Sequence, residues 1–152
     1  MNILFVCTGN SCRSPMAEAY FNMLAEHDKC TDLWAESAGI HTFDGCCASS
    51  QAQIVAKAFG GDLSNFRSTR FQRKMGDDFD LIIAMTRGHL LAIQEIAPTA
   101  RVKLLSDYAD WQNPDVPDPY GENVYGYARV FTYMKEALDN LYCNLKNSHN
   151  NS

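Results

Sequence analysis

Two short stretches of the chain are apolar at almost every position, ILFV at 3–6 and DLIIAM at 80–85. Continuous apolar runs of this length suit strands buried on both faces of a parallel sheet. LWAESAG (33–39) and RVKLL (101–105) alternate only in part and are weaker strand candidates. Between these runs the apolar spacing becomes helical. SPMAEAYFNMLAEH (14–27) carries Met16, Ala19, Tyr20, Met23 and Leu24 at helix periods, with Ser14 placed as N-cap and Pro15 as the first helical residue. ASSQAQIVAKAF (48–59) runs into Gly60–Gly61, a helix stop, and GHLLAIQEI (88–96) ends before Pro98. From Val124 to about Leu145, the apolar positions Val130, Met134, Leu138 and Leu141 mark a last helix.

The implied order is β-α-β-α-α-β-α-β-loop-α, an α/β fold with a parallel sheet covered by helices on both faces. No linker or repeat divides it. The reading is one domain over 1–145 with a polar tail over 146–152 that frays. In folds of this kind ligands bind at the carboxyl ends of the strands. CTGNSCRSP (7–15) stands at the carboxyl end of the first strand.

Composition narrows the class. The chain has 152 residues, 46% apolar and 20% charged, which is ordinary for a globular protein with a core of its own. A formal charge of −5 argues against general nucleic-acid binding, and no apolar run is long enough to span a membrane. MNILFVC has no basic leader region and enters a strand directly, so the expected address is the cytoplasm. Six cysteines (7, 12, 30, 46, 47 and 143) lack the spacing of a disulfide framework or zinc site, and free, mostly buried thiols are expected. His27, His41, His89 and His149 form no ligand or relay pattern, and neither metal nor cofactor is expected.

A loop between a strand and a helix start, built from Thr8, Gly9, Asn10, Ser11 and Cys12, can turn several backbone N–H groups toward one point. Together with the helix dipole these make an anion site. Arg13 adds a planar fork matched to two phosphate oxygens. The same field favours a thiolate, because helix N-termini and arginines can lower a thiol pKa to roughly 3.5–7.5. Ser14 can donate to the sulfur, so Cys7 is placed as a nucleophile toward phosphorus. The plainer alternative makes Cys7 and Cys12 core fillers and Arg13 a surface charge. No GxxxxGK[ST] is present, which excludes a Walker-type loop. A thiol phosphatase also needs an acid for the leaving oxygen. Asp118, in VPDPYGE (116–122), is the candidate. Its flanking prolines stiffen the loop and limit local hydrogen bonding of the carboxylate, and Tyr120 offers an aromatic wall. An ordinary Asp-Pro turn is the alternative.

Taken together, VCTGNSCRSPMAEA, ESAGI (36–40), DLIIAMT (80–86) and DPYG (118–121) resemble the low-molecular-weight protein tyrosine phosphatase family over about residues 1–145. The resemblance implies a four-stranded parallel sheet with flavodoxin-like winding, a phosphotyrosine phosphatase I-like fold. It implies a metal-free, two-step reaction on a phosphorylated protein, with inorganic phosphate as product. Cys7 would attack phosphorus, Arg13 and the amides of residues 8–13 would hold the transition state, and Asp118 would serve first as acid and then as base. It further implies that Asn10 keeps the loop's shape through a network including Ser37. Cys12 would be either a filler or the reversible disulfide partner of Cys7. Many family members have a histidine behind the loop where this chain has Phe66.

The substrate stays open between phosphotyrosine and phosphoarginine. Tyrosine-specific relatives carry a bulky aliphatic residue at the position of Ser11, whereas arginine-directed relatives carry threonine there and resemble this chain also at AMT (84–86). Tyr120 and Phe43 as aromatic walls favour a phenol. Two other classes compete: a thiol-linked arsenate reductase, which would need relay cysteines absent from AMTRGHLLAIQ, and a phosphopeptide-binding module, which would need neither nucleophile nor acid.

Overall fold

The two continuous apolar runs lie side by side at the centre of a four-stranded parallel sheet of order β2-β1-β3-β4, seen in a computed structural model that describes residues 1–150. The strands are β1 (Asn2–Cys7), β2 (Trp34–Gly39), β3 (Leu81–Ala84) and β4 (Val102–Leu104). The helices are α1 (Arg13–His27), α2 (Ser50–Phe59), α3 (Met75–Asp78), α4 (Arg87–Ile96) and α5 (Val124–Asn150). Residues 101 to 105 give only a short strand, because Leu105 opens a 3-10 turn that is itself buried.

β1 from Ile3 onward and all of β3 are apolar because both their faces are covered. On β1, Ile3, Phe5 and Cys7 pack into the core shared with α1, α2 and α5, while Leu4 and Val6 pack with Ile82, Ile93 and Ala97 on the opposite face. Phe5 is fully buried and meets Phe21 of α1 edge to face. Truncating such a residue to alanine costs about 3–5 kcal/mol. The chain reverses direction across the sheet between β1 and β3, and this switch point opens a crevice at the strands' carboxyl ends. Cys7 ends β1 in register with Gly39, the end of β2.

Several local expectations change. α1 begins at Arg13 with Cys12 as N-cap, not at Ser14, because the Ser14 hydroxyl is engaged elsewhere. Past Leu145 the polar tail remains helical to Asn150, where Lys146 and Tyr142 both bind the Asp28 carboxylate at the end of α1. Only Cys7 and Cys12 are buried thiols; Cys46, Cys47 and Cys143 are exposed. No described helix is long and apolar enough to cross a membrane.

Candidate active site

The strand's alternation sends the Cys7 side chain toward α1, where its sulfur lies 2.9 Å from Ser14 Oγ. The loop that follows turns back on itself at Asn10, whose φ of 51° lies in the left-handed region. Asparagine tolerates that backbone better than most residues. Its side chain also secures the turn: Nδ2 donates to Ser14 Oγ at 2.8 Å and to Ser37 Oγ at 2.9 Å, and Oδ1 accepts from the Thr69 N–H at 2.9 Å. Gly39 is the glycine this arrangement needs most, since a Cβ there would meet the Thr8 carbonyl oxygen at 2.8 Å and the Asn10 backbone N at 3.0 Å. Gly9, by contrast, has room for a side chain.

The loop's carbonyls and amides are used very differently. The carbonyls of Cys7, Thr8, Ser11 and Cys12 accept from Ile40, His41, Ser49 and Met16. Among the described residues nothing accepts from the N–H groups of residues 8 to 12. The uncapped first turn of α1 adds its own donors and carries no acidic residue. A concave set of free donors at a helix start is an anion site.

Arg13, 4% exposed, reaches over this concavity. Its Nη1 donates to the Val116 carbonyl at 2.9 Å, and Nη2 lies 3.6 Å from Asp118 Oδ2 and 3.4 Å from Thr8 Oγ1. The single bond to Val116 fixes the guanidinium plane and ties the acid-bearing loop to the anion-binding loop. Asp118 does form a local bond despite its prolines, with Oδ1 accepting from the Tyr120 N–H at 3.0 Å. Cys7, Thr8, Gly9, Ser11, Cys12, Arg13, Asp118 and Tyr120 line one cleft of about 270 Å³, at the small end of ligand sites. Asn10, Ser14 and Ser37 stand behind it as supports. Phe43 is 79% exposed and does not line it.

Four supports had no signature in the sequence. His89, read there as bland, is buried and meets Thr8 Oγ1 through Nε2 at 2.7 Å. Burial, with the Arg13 charge nearby, pushes its pKa down to about 4, so it is neutral near pH 7. Tyr127 of α5 meets Cys12 Sγ at 3.0 Å, and burial with that contact pushes its phenol up to about 12. The Thr69 amide and Val116 carbonyl act from the backbone, where residue identity leaves no mark. The first of these, Thr69, supports the loop from the segment where Phe66 replaces the expected histidine.

Comparison with known proteins gives concordant matches. The model of the family described as low molecular weight phosphotyrosine protein phosphatase matches residues 2–151. A low molecular weight protein-tyrosine-phosphatase of Streptomyces coelicolor is 38% identical, the match covering 91% of this chain and 90% of that one. A protein-arginine-phosphatase of Bacillus subtilis is 34% identical over 96% of this chain and 97% of that one. Among solved structures, a C7S mutant of the YwlE arginine phosphatase with a phosphorylated active site serine superposes with a TM-score of 0.88. It is 32% identical and covers 96% of each chain.

Proposed function

Because the chain belongs to the low molecular weight phosphotyrosine protein phosphatase family, we propose that it hydrolyses phosphotyrosine in proteins through a phosphocysteine at Cys7. The observation that carries this reading is the convergence of Cys7, Arg13 and Asp118 on one small cleft floored by free N–H groups. The phosphoryl oxygens replace Asp118 as partners of the Arg13 fork and take the amides of residues 8 to 13. The Cys7 sulfur attacks phosphorus in line, the S–P bond forms and the bond to the leaving oxygen breaks. Asp118, released from Arg13, takes up a proton from solvent and gives it to that oxygen. Water then attacks the phosphocysteine, Asp118 takes a proton from it, and inorganic phosphate leaves with the thiolate restored. Charge is met throughout by guanidinium and amides already in position, the arrangement that stabilises transition states most, so the reaction needs no metal.

Tyr120, 80% exposed beside Asp118, gives a phenol an aromatic face to stack on. A second reading, phosphoarginine, is favoured by Ser11: its small hydroxyl lines the cleft where a bulky side chain would grip a phenyl ring. Cys12 keeps two roles, a packing residue held by Tyr127 and the thiol that closes on Cys7 once a peroxide has oxidised that sulfur to a sulfenic acid. A working thiol beside five further free cysteines suits a reducing cytoplasm. The test is kcat/KM on phosphotyrosine and phosphoarginine versions of one peptide. A preference for phosphotyrosine is expected; a preference for phosphoarginine transfers the assignment to the second reading, and turnover of neither overturns both.

A further inference from the structure

α4 reaches the cleft through one side chain. Thr86 caps the helix by accepting from the His89 N–H at 3.1 Å, and this first turn carries the His89 ring to Thr8 in the cleft wall. The ring is 8% exposed, and its Nδ1 is buried with no hydrogen-bond partner among the described residues. Burying a polar ring that is only half satisfied costs stability, so the task of its other nitrogen matters. Nε2 lies 2.7 Å from Thr8 Oγ1, and Arg13 Nη2 lies 3.4 Å from the same oxygen.

Counting hydrogens sets the direction of these bonds. Arg13 can only donate, so it takes one lone pair of Thr8 Oγ1. Burial, the Arg13 charge and His41 keep the His89 ring neutral against the opposing pull of Asp118 and Asp115, and a neutral ring carries one N–H. On Nδ1 that hydrogen would be a buried donor without an acceptor, which folded proteins rarely leave. On Nε2 it takes the second lone pair of Thr8. The Thr8 hydroxyl is then full as an acceptor, and its own hydrogen is left for the cleft that Thr8 lines. An anion there favours the same arrangement, because the ring N–H and the hydroxyl dipole then both point toward it. We propose that Thr8 binds substrate through its side chain, the hydroxyl donating to a phosphoryl oxygen, and that His89 is the positioning residue that turns the hydroxyl into the cleft. The oxygen concerned is one that Arg13 Nη2 also holds, since Thr8 Oγ1 sits beside that nitrogen. His89 itself touches no substrate.

The role rests on the cleft taking a phosphoryl group, and inorganic phosphate tests it without turnover. In titration calorimetry on the whole protein, Thr8→Val is expected to weaken phosphate binding about tenfold, the scale of one hydrogen bond to a charged group. His89→Leu is expected to give the same loss, and the double variant no more than either single one, since both remove one donor. His89→Gln, whose amide nitrogen can donate in place of Nε2, is expected to bind within about threefold of wild type, a rescue that lost packing would not give. Heteronuclear NMR of the phosphate-bound wild type is expected to find the His89 ring hydrogen on Nε2. Should His89→Leu fail to fold, that spectrum and Thr8→Val carry the test. Unchanged affinity in Thr8→Val, additive losses in the double variant, or a ring hydrogen on Nδ1 overturns the proposal. A wild type that binds no phosphate overturns it together with the phosphoryl site. The expected losses in a protein that hydrolyses no phosphoester support the proposal and contradict the phosphatase reading alone.

Discussion

The two loops that meet at Arg13 are built to opposite standards. The loop after β1 is largely buried, its asparagine makes three hydrogen bonds, and the carbonyls of Thr8, Ser11 and Cys12 are tied outward. The loop carrying Asp118 and Tyr120 lies open to solvent: the Asp118 side chain is 52% exposed and has a long ion pair and one Asx-type bond. In the proposed reaction, rigidity is placed where the phosphoryl group, common to every substrate, must be held against reorganisation. Freedom is placed where the leaving group varies, and where the carboxylate must first let go of Arg13.

If that division is right, damage to the inner loop should be severe and indifferent to the leaving group. Cys7→Ser is expected to lower kcat/KM by at least about 10⁴-fold, since a serine hydroxyl is a far weaker nucleophile and a far poorer leaving group than the thiolate, while titration calorimetry still detects phosphate binding. Arg13→Lys should cost about 10²–10³-fold, because a lysine cannot hold Val116 and two phosphate oxygens at once. That loss should be equal for good and poor leaving groups in steady-state kinetics. Asp118→Asn should cost about 10²–10³-fold on phenyl phosphate and far less on an ester of an acidic phenol.

Smaller effects sharpen the contrast further. Glu18 has its pKa raised from 4.5 to about 7 by burial, so the native state holds this proton longer than the unfolded chain. Its share of stability is therefore full below pH 4.5 and is lost as pH rises through about 7, an amount of roughly 1–3 kcal/mol. Urea unfolding of Glu18→Gln should show this decline flattened and the variant more stable than wild type at pH 8. Ser11→Ile, at the mouth of the inner loop, should change the phosphotyrosine to phosphoarginine ratio of kcat/KM about threefold to tenfold in favour of tyrosine, the scale of one apolar contact. An unchanged ratio would remove Ser11 as a selector.

The same contrast explains what could be read from the sequence. The central strands were legible because burial on both faces forces apolar residues at every position, as in ILFV. The inner loop was legible because its parts are consecutive: Cys7, Asn10, Arg13 and Ser14 all lie within one turn of chain. Ser14 was misplaced as an N-cap because the local rule for serine at a helix start lost to a stronger demand, the bonds from Asn10 and to Cys7. His89 and Tyr127 were missed because each reaches the loop from a distant helix and lies in an apolar pattern that any helix would show. The Val116 and Thr69 contacts were out of reach in principle, since backbone groups are the same in every residue. Ser37 entered only through family resemblance. The extra length of α5 depends on Asp28, more than a hundred residues away.

The division of labour between the two loops is tested most directly by the dependence of kcat/KM on leaving-group acidity. The series is a set of aryl phosphates, measured for the wild type, Arg13→Lys and Asp118→Asn. The account predicts a shallow dependence for wild type, a parallel but lower line for Arg13→Lys, and a steep line for Asp118→Asn. A line for Asp118→Asn parallel to wild type would contradict it, because the carboxyl group would then have no part in protonating the leaving oxygen.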